Sequence, residues 1–460
     1  MLEKSEKTMI HHCRCVLVTI VLIPVLVMQE VRSQEVAPRP ISLEEAVRLA
    51  IRQDPDLETA RLEVERSDAR VMEAWGTALP SVDVSARYTR TPESPVFFAI
   101  FNGSPMSIQI GFPHSMDMSI LGKQILFNGA VIVGVSAAHI YTELARDLFA
   151  NKRLETVAKV RKAYYGALVA REVVTMMHSS LRNAENNLKN VLLMRQQGIV
   201  SEYDELRASI QVDNVRPSVI QSETGYALAL DALRNSIGAG NNEILELTDS
   251  LKFVPVDDSL SEKAEELALS SNPGLQALDR QINLNKAVIF AERSNYLPTI
   301  ALFGQYQYQS AKEQFKFSTN DFIRSAQFGI SVSLNIFQGG QTRSRVEQAQ
   351  VEQRKSEQQK IGVERSLLTG VHSVVGNLKQ SRKRVEVQQK TVETAERGYK
   401  IVTARFLASA ATQLEVNDAQ LALDQARVNR IQAIYDYLVA AAELDRLIGR
   451  LPAYAVETNE

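Results

Sequence analysis

One stretch of this chain is written twice. Ala46 to Val84 aligns without a gap on Ala264 to Leu302, 218 residues further on, with Ala46/Ala264, Leu49/Leu267, Ala50/Ala268, Pro55/Pro273, Leu57/Leu275, Leu79/Leu297 and Pro80/Pro298 identical. The identities fall where local structure is decided. Asp54-Pro55 and Asn272-Pro273 each set a capping side chain before a proline suited to the first helical position. Leu79-Pro80 and Leu297-Pro298 each stop a helix, because proline cannot continue it. Two further pairs recur at nearly the same shift: Phe127-Asn128-Gly129 with Phe337-Gln338-Gly339, and Ile237-Gly238 with Ile448-Gly449. A unit of about two hundred residues is far longer than the 20–50 of a solenoid. The chain therefore reads as two copies of one large module: 34–238 and 259–449, joined by a linker over 239–258 and followed by a tail over 450–460.

Within each copy the apolar period changes from helical to two. Ala326, Phe328, Ile330, Val332, Leu334 and Ile336 alternate with Ser325, Gln327, Gly329, Ser331, Ser333 and Asn335. Ile300, Leu302, Tyr306 and Tyr308 alternate in the same way with Thr299, Gln305, Gln307 and Gln309. In the first copy Val82, Val84, Ala86 and Tyr88 alternate with polar residues, and Met116, Met118 and Ile120 do so less tidily. Each copy thus carries one hairpin, with strands at about 80–92 and 114–127 in the first and about 299–309 and 324–337 in the second. Strands of roughly ten residues are long enough to cross a bilayer. A soluble hairpin packed on a core has the same pattern. Four strands cannot close a membrane barrel, whose smallest single-chain forms have about eight. If these strands span, the chain must oligomerise to close the sheet, and two, three or four copies all remain open.

The remainder is helical. Ala130 to Arg195 and Gly340 to Arg405 each run for 66 residues without proline. At ~1.5 Å per residue each reaches ~100 Å if continuous. These stretches are polar: Gln341 to Lys360 has only Val346, Ala349 and Val351 as a sparse apolar set. That suits a single-layer tube wetted inside and out, and equally an ordinary antiparallel coiled coil.

Composition removes other classes. Lys and Arg total 52 against 54 Asp and Glu, so the net charge of −2 lacks the basic excess of a nucleic-acid binder. Lys4, Lys7 and Arg14 precede the 13-residue apolar run Val16 to Met28, and Val31-Arg32-Ser33 follows it. This is the layout of a secretory signal peptide over 1–33, with cleavage expected between Ser33 and Gln34. An uncleaved anchor helix is the alternative, although the run is short for a membrane span. Cys13 and Cys15 both precede the run, so a processed chain has no disulfide, thiol nucleophile or Cys-held metal. His114, His139, His178 and His372 are not at ligand spacing, and no H-E-x-x-H, phosphate-cradling or G-x-S-x-G motif occurs. No enzyme, cofactor or metal site is expected. Trp75 reads as a packing residue, and Phe97, Phe98 and Phe101 as an outer loop or rim cluster, with an interfacial aromatic belt as the alternative.

The order of these parts, given twice, resembles the TolC-like outer-membrane efflux proteins. The marks are AVRLAIRQDPDLETA near the start, LPSVDVSARY and LPTIALFGQY entering strands, and FNG and FQG leaving them. QQGIVSEYDELRAS and FLASAATQLEVNDAQ complete them at the helical turns, and the likeness runs from about Ile41 to Gly449. It implies a mainly α fold with a small β part: a duplicated helix–hairpin–helix module whose long α-helical barrel continues into a shared transmembrane β-barrel, four strands per chain. It further implies a homotrimer in outer-membrane lipid, a large periplasmic portion, and docking on a periplasmic adaptor protein and an inner-membrane transporter. The function implied is a passive exit duct for efflux or type I secretion. The alternative is a secreted coiled-coil scaffold or adhesin without a pore. The resemblance also implies a gate of carboxylates near the tip turns, for which the candidates are Asp418, Glu415 and Asp204. The family's usual glycine is Ser409 here and a family arginine is Ala411. Ser201-x-x-Asp204 and Thr412-x-x-Glu415 also read as capping boxes, so Asp204 and Glu415 have a structural role available. Asp418 does not.

Overall fold

The structure is a computed structural model and describes residues 39–93, 95–101, 103–109, 111–240 and 243–455. The signal segment and its expected Ser33–Gln34 cleavage lie outside the described residues.

Each module opens with a broken helix. In the first, α1 (Leu43–Gln53) and α2 (Pro55–Gly76) are separated by Asp54, whose side chain accepts from Leu57 N while Pro55 takes the first helical position. The second repeats this after the short α5 (Asp258–Glu262): Asn272 lies between α6 (Ala264–Ser271) and α7 (Pro273–Ser294) and accepts from Leu275 N. The end of each module returns to lock its own break. Gly238 caps α4 (Glu202–Ile237) at φ +69°, and a Cβ there would lie 2.6 Å from Gln53 O. Gly449 follows α9 (Gln413–Leu447) at φ +71°, and its Cβ would lie 2.3 Å from Ser271 O. Positive φ and this close approach both require glycine, which explains why the Ile-Gly pair recurs.

The long elements are α3 (Gly129–Gln196, 68 residues) and α8 (Gln341–Leu407, 67 residues), each continuous. Asn128 starts α3 by accepting from Ala130 N and Val131 N. At ~1.5 Å per residue each is ~100 Å long. α4 packs along the far half of α3 and α9 along that of α8, while α2 and α7 flank their near halves. The main core sits where α1, α6 and the C-terminal ends of α4 and α9 converge on the middle of α3 and α8, around Val160, Tyr164, Leu233, Ile237, Val371, Tyr437 and Leu444. Arg161 and Asp445 bridge it at 2.6 Å. Two segments read as linker and tail are part of this core. β6 (Leu245–Leu247) pairs in parallel with β1 (Arg39–Ile41), and Asp249 accepts from the Tyr164 hydroxyl at 2.7 Å. Ala455 is buried, and Arg153 donates to its carbonyl.

Between α2 and α3 lie β2 (Ser81–Arg90), the β3–β4 ribbon (Val96–Phe101 and Ser104–Gln109) and β5 (His114–Phe127). Between α7 and α8 lie β7 (Thr299–Lys312) and β8 (Ile323–Ser333). The main sheet is antiparallel in the order β2-β5-β7-β8, so the two hairpins sit side by side through β5 and β7. β8 stops at Ser333, short of the expected 337. Its last partner is Thr299, and the preceding Pro298 has no N–H to extend the ladder.

Candidate functional site

The sheet sorts its side chains by face. Register places Val84, Ile120, Tyr306 and Ala326 in one row across all four strands, and Val82, Gly122, Gly304 and Phe328 in the next. The opposite face carries Ser85, Ser119, Gln307 and Ser325 in one row and Asp83, Leu121, Gln305 and Gln327 in another. Polar neighbours bond there: Ser85 to Ser119 at 2.8 Å and Gln327 to Gln305 at 2.7 Å. The alternation of each strand therefore adds up to one apolar and one polar surface, the pattern of a membrane barrel wall. Phe303 is an exception that the pattern misses; it lies on the polar face opposite Gly329, near the helix-side end of the sheet.

β2 and β8 are both edge strands, each paired on one side only, and both are exposed almost throughout. Phe328 is 90% exposed in the single chain and Val84 76%. Trp75, read as a packing residue, is 52% exposed on α2, so within one chain it has little to pack on.

The far ends of the helices form two turns of matched construction. In the first, Gly198 takes φ +73° and Ile199 N donates to Met194 O. In the second, Ser409 takes φ +57° and Ala410 N donates to Arg405 O. Ser409 is the only non-glycine at positive φ among the described residues. Both capping boxes are present. Asp204 accepts from Ser201 N and Oγ, and Glu415 accepts from Thr412 N and Oγ. The Thr412 backbone and hydroxyl bonds hold the Glu415 carboxyl below its ordinary range. Asp418 is exposed one turn further along α9 and has no hydrogen-bond or ion-pair partner among the described residues. The three candidate acids do not bond to one another. Arg195 pairs with Glu202 at 3.6 Å and with Glu205, fixing the first turn to its own helix pair.

A small apolar cluster of Val191, Met194, Ala208, Phe406 and Val416 joins the two turns. Beyond it α3 and α9 meet through polar groups. Ser180 donates to Asp424 at 2.7 Å and Asn183 to Gln420 at 3.3 Å, while within α9 Gln413 donates to Asn417 at 3.0 Å. Sequence reasoning missed this seam, yet it left a signal. Gln413/Gln420 and Asn417/Asp424 are polar pairs spaced by seven, one heptad apart on a helix with an apolar side.

The family model described as outer membrane efflux protein matches this chain twice, over residues 46–239 and 265–450. The chain belongs to the outer membrane efflux protein family. The two matches follow the two modules. It is similar to the outer membrane protein TolC of Vibrio cholerae, 22% identical over 94% of this chain and 95% of the relative. It is also similar to the cobalt-zinc-cadmium resistance protein CzcC of Cupriavidus metallidurans, 24% identical over 90% and 91%. In fold it matches the outer membrane protein VceC of Vibrio cholerae with a TM-score of 0.71 at 16% identity, covering 89% of this chain and 96% of that one. The chain is an outer-membrane efflux channel, with its sheet in the membrane and its long helices in the periplasm. A scaffold without a pore does not fit that family or the two-faced sheet.

Proposed function

We propose that three copies close their sheets into one twelve-stranded barrel, and that the helices below form a tube ending at a carboxylate gate. The unpaired outer edges of β2 and β8 carry this reading. In hydrocarbon each unpaired backbone group costs several kcal/mol, and joining β8 of one copy to β2 of the next removes every edge. The same arrangement gives the exposed α2 stripe bearing Trp75 a neighbouring chain to pack on. The far end of the tube then meets a periplasmic adaptor protein and an inner-membrane transporter, which supply cargo and energy while this chain supplies a passive path.

The gate is assigned to Asp418. Threefold symmetry brings three copies of it around one axis, where crowded carboxylates repel unless cations bridge them. Asp204 and Glu415 support it by fixing the turns through their capping boxes. The test is single-channel conductance of wild type, Asp418→Ala and Glu415→Gln in planar bilayers, with divalent cations on the helix side. Asp418→Ala is expected to lose divalent block and cation preference, and Glu415→Gln to change little, because Gln also serves in a capping box. Unchanged block in Asp418→Ala removes the gate assignment.

A further inference from the structure

The β3–β4 ribbon has no counterpart in the second module. There β7 and β8 are joined by the residues between Lys312 and Ile323, whereas β2 and β5 are joined by those between Arg90 and His114. From Ser94 to Pro113 the sequence contains no charged residue. The ribbon is apolar on both faces. Phe98 and Ile100 lie on one face and Phe97, Ala99 and Met106 on the other, by the pairing of Phe98 with Ser107 and Ala99 with Met106. Phe98 and Ile100 are each 78% exposed, and Phe97 58%. An isolated two-stranded ribbon is at best marginally stable in water, and an exposed apolar patch of this kind marks a surface awaiting a partner.

The position of the ribbon indicates that partner. It joins β2, the edge strand that the trimeric reading pairs with the next copy, to β5 at the end of the sheet away from the helices. Binding to anionic headgroups would call for Lys or Arg, and the segment has neither. Length also fits. Six residues at ~3.4 Å make a ribbon of ~20 Å. Twelve strands spaced ~4.8 Å and tilted ~40° enclose a radius of ~12 Å. Each ribbon can therefore reach the axis from the rim.

We propose that the ribbons of three copies pack on one another across the outer mouth and form an apolar constriction there, at the opposite end of the duct from Asp418. Apolar constrictions exclude water and large solutes while soft side chains can part for cargo. The proposal rests on the trimeric reading, and its test separates the two. In a chain with Cys13→Ser and Cys15→Ser, a single cysteine is placed by Phe98→Cys or, as the milder change on the same face, Ser107→Cys. Intact cells are oxidised and the heat-modifiable assembly is recovered. About two-thirds of the chains are expected as disulfide-linked dimers, since two of three thiols around a threefold axis can pair. In parallel, Gln307→Cys on the polar barrel face is exposed to a bulky polyethylene-glycol maleimide added outside the cells. It is expected to be protected in the full chain and labelled once Val96 to Gln109 is replaced by Gly-Gly. A trimer without linked dimers at either position, or with Gln307→Cys equally labelled with and without the ribbon, overturns the constriction. Failure to recover any trimer overturns the assembly itself.

Discussion

Replacing Ile330 by arginine should block assembly, whereas the same residue one position along should not. Ile330 lies on the apolar face of β8 opposite Leu302, and Ser331 lies on the polar face opposite Ala301. β8 runs from Ile323 to Ser333, which at ~3.4 Å per residue and ~40° tilt spans ~26 Å, close to the ~25 Å apolar band of a membrane barrel. Its centre is Phe328, and Ile330 sits ~5 Å from that centre. An arginine at the midplane costs ~2–4 kcal/mol, falling toward the interface. Ile330→Arg should therefore cost ~2–3 kcal/mol, a factor of roughly 30 to 150 in the insertion equilibrium. Ser331→Arg meets water and should cost little. The assay is the fraction of chain recovered from outer membranes as a heat-modifiable band, followed by urea unfolding in detergent. Equal recovery of both variants, whether high or low, would refute the claim that the alternation reports a lipid face and a lumen face.

Three further outcomes are expected. Ser409→Gly should stabilise the helix pair α8–α9 by about 1 kcal/mol, because a non-glycine residue at left-handed φ carries a penalty of ~1–2 kcal/mol; thermal unfolding of the assembly measures it, and a lower midpoint would contradict it. Gly449→Ala should destabilise by ~2–4 kcal/mol, combining that penalty with displacement of the Ser271 carbonyl. Gly398→Ala, at a helical glycine with nothing within 4 Å, is the control and should be neutral or slightly stabilising. The exported chain should begin at or near Gln34, and N-terminal sequencing that still reads through Val16 to Met28 would mean an anchor instead.

Much of the fold was legible because its signals are local and repeated. Asp54-Pro55 and Asn272-Pro273 break helices by their own chemistry, wherever they occur. The alternation from Ala326 to Val332 identifies a strand and both its faces. Signals that depend on distant partners were not legible. β1 and β6 are three residues each, pair across some two hundred residues, and are too short for a period to show. β3 of the ribbon is a continuous apolar run, Val96 to Phe101, and lacks the alternation that marks a half-buried strand. Leu334 and Ile336 keep the strand period after the ladder has run out, because pairing depends on the neighbour and not on the pattern. At the tip, the capping boxes could be read directly, whereas the α3–α9 polar seam needed the two helices side by side. Trp75 shows the same limit from the other direction: the residue is visible in the sequence, and its 52% exposure in the single chain is not.

The most direct test of the account is the protein mass of the assembly extracted from outer membranes, measured by light scattering with the detergent contribution subtracted. One chain supplies four strands and two open edges, and the proposed twelve-stranded barrel takes three chains per particle. A particle of one chain, stably embedded in the membrane fraction, would contradict it.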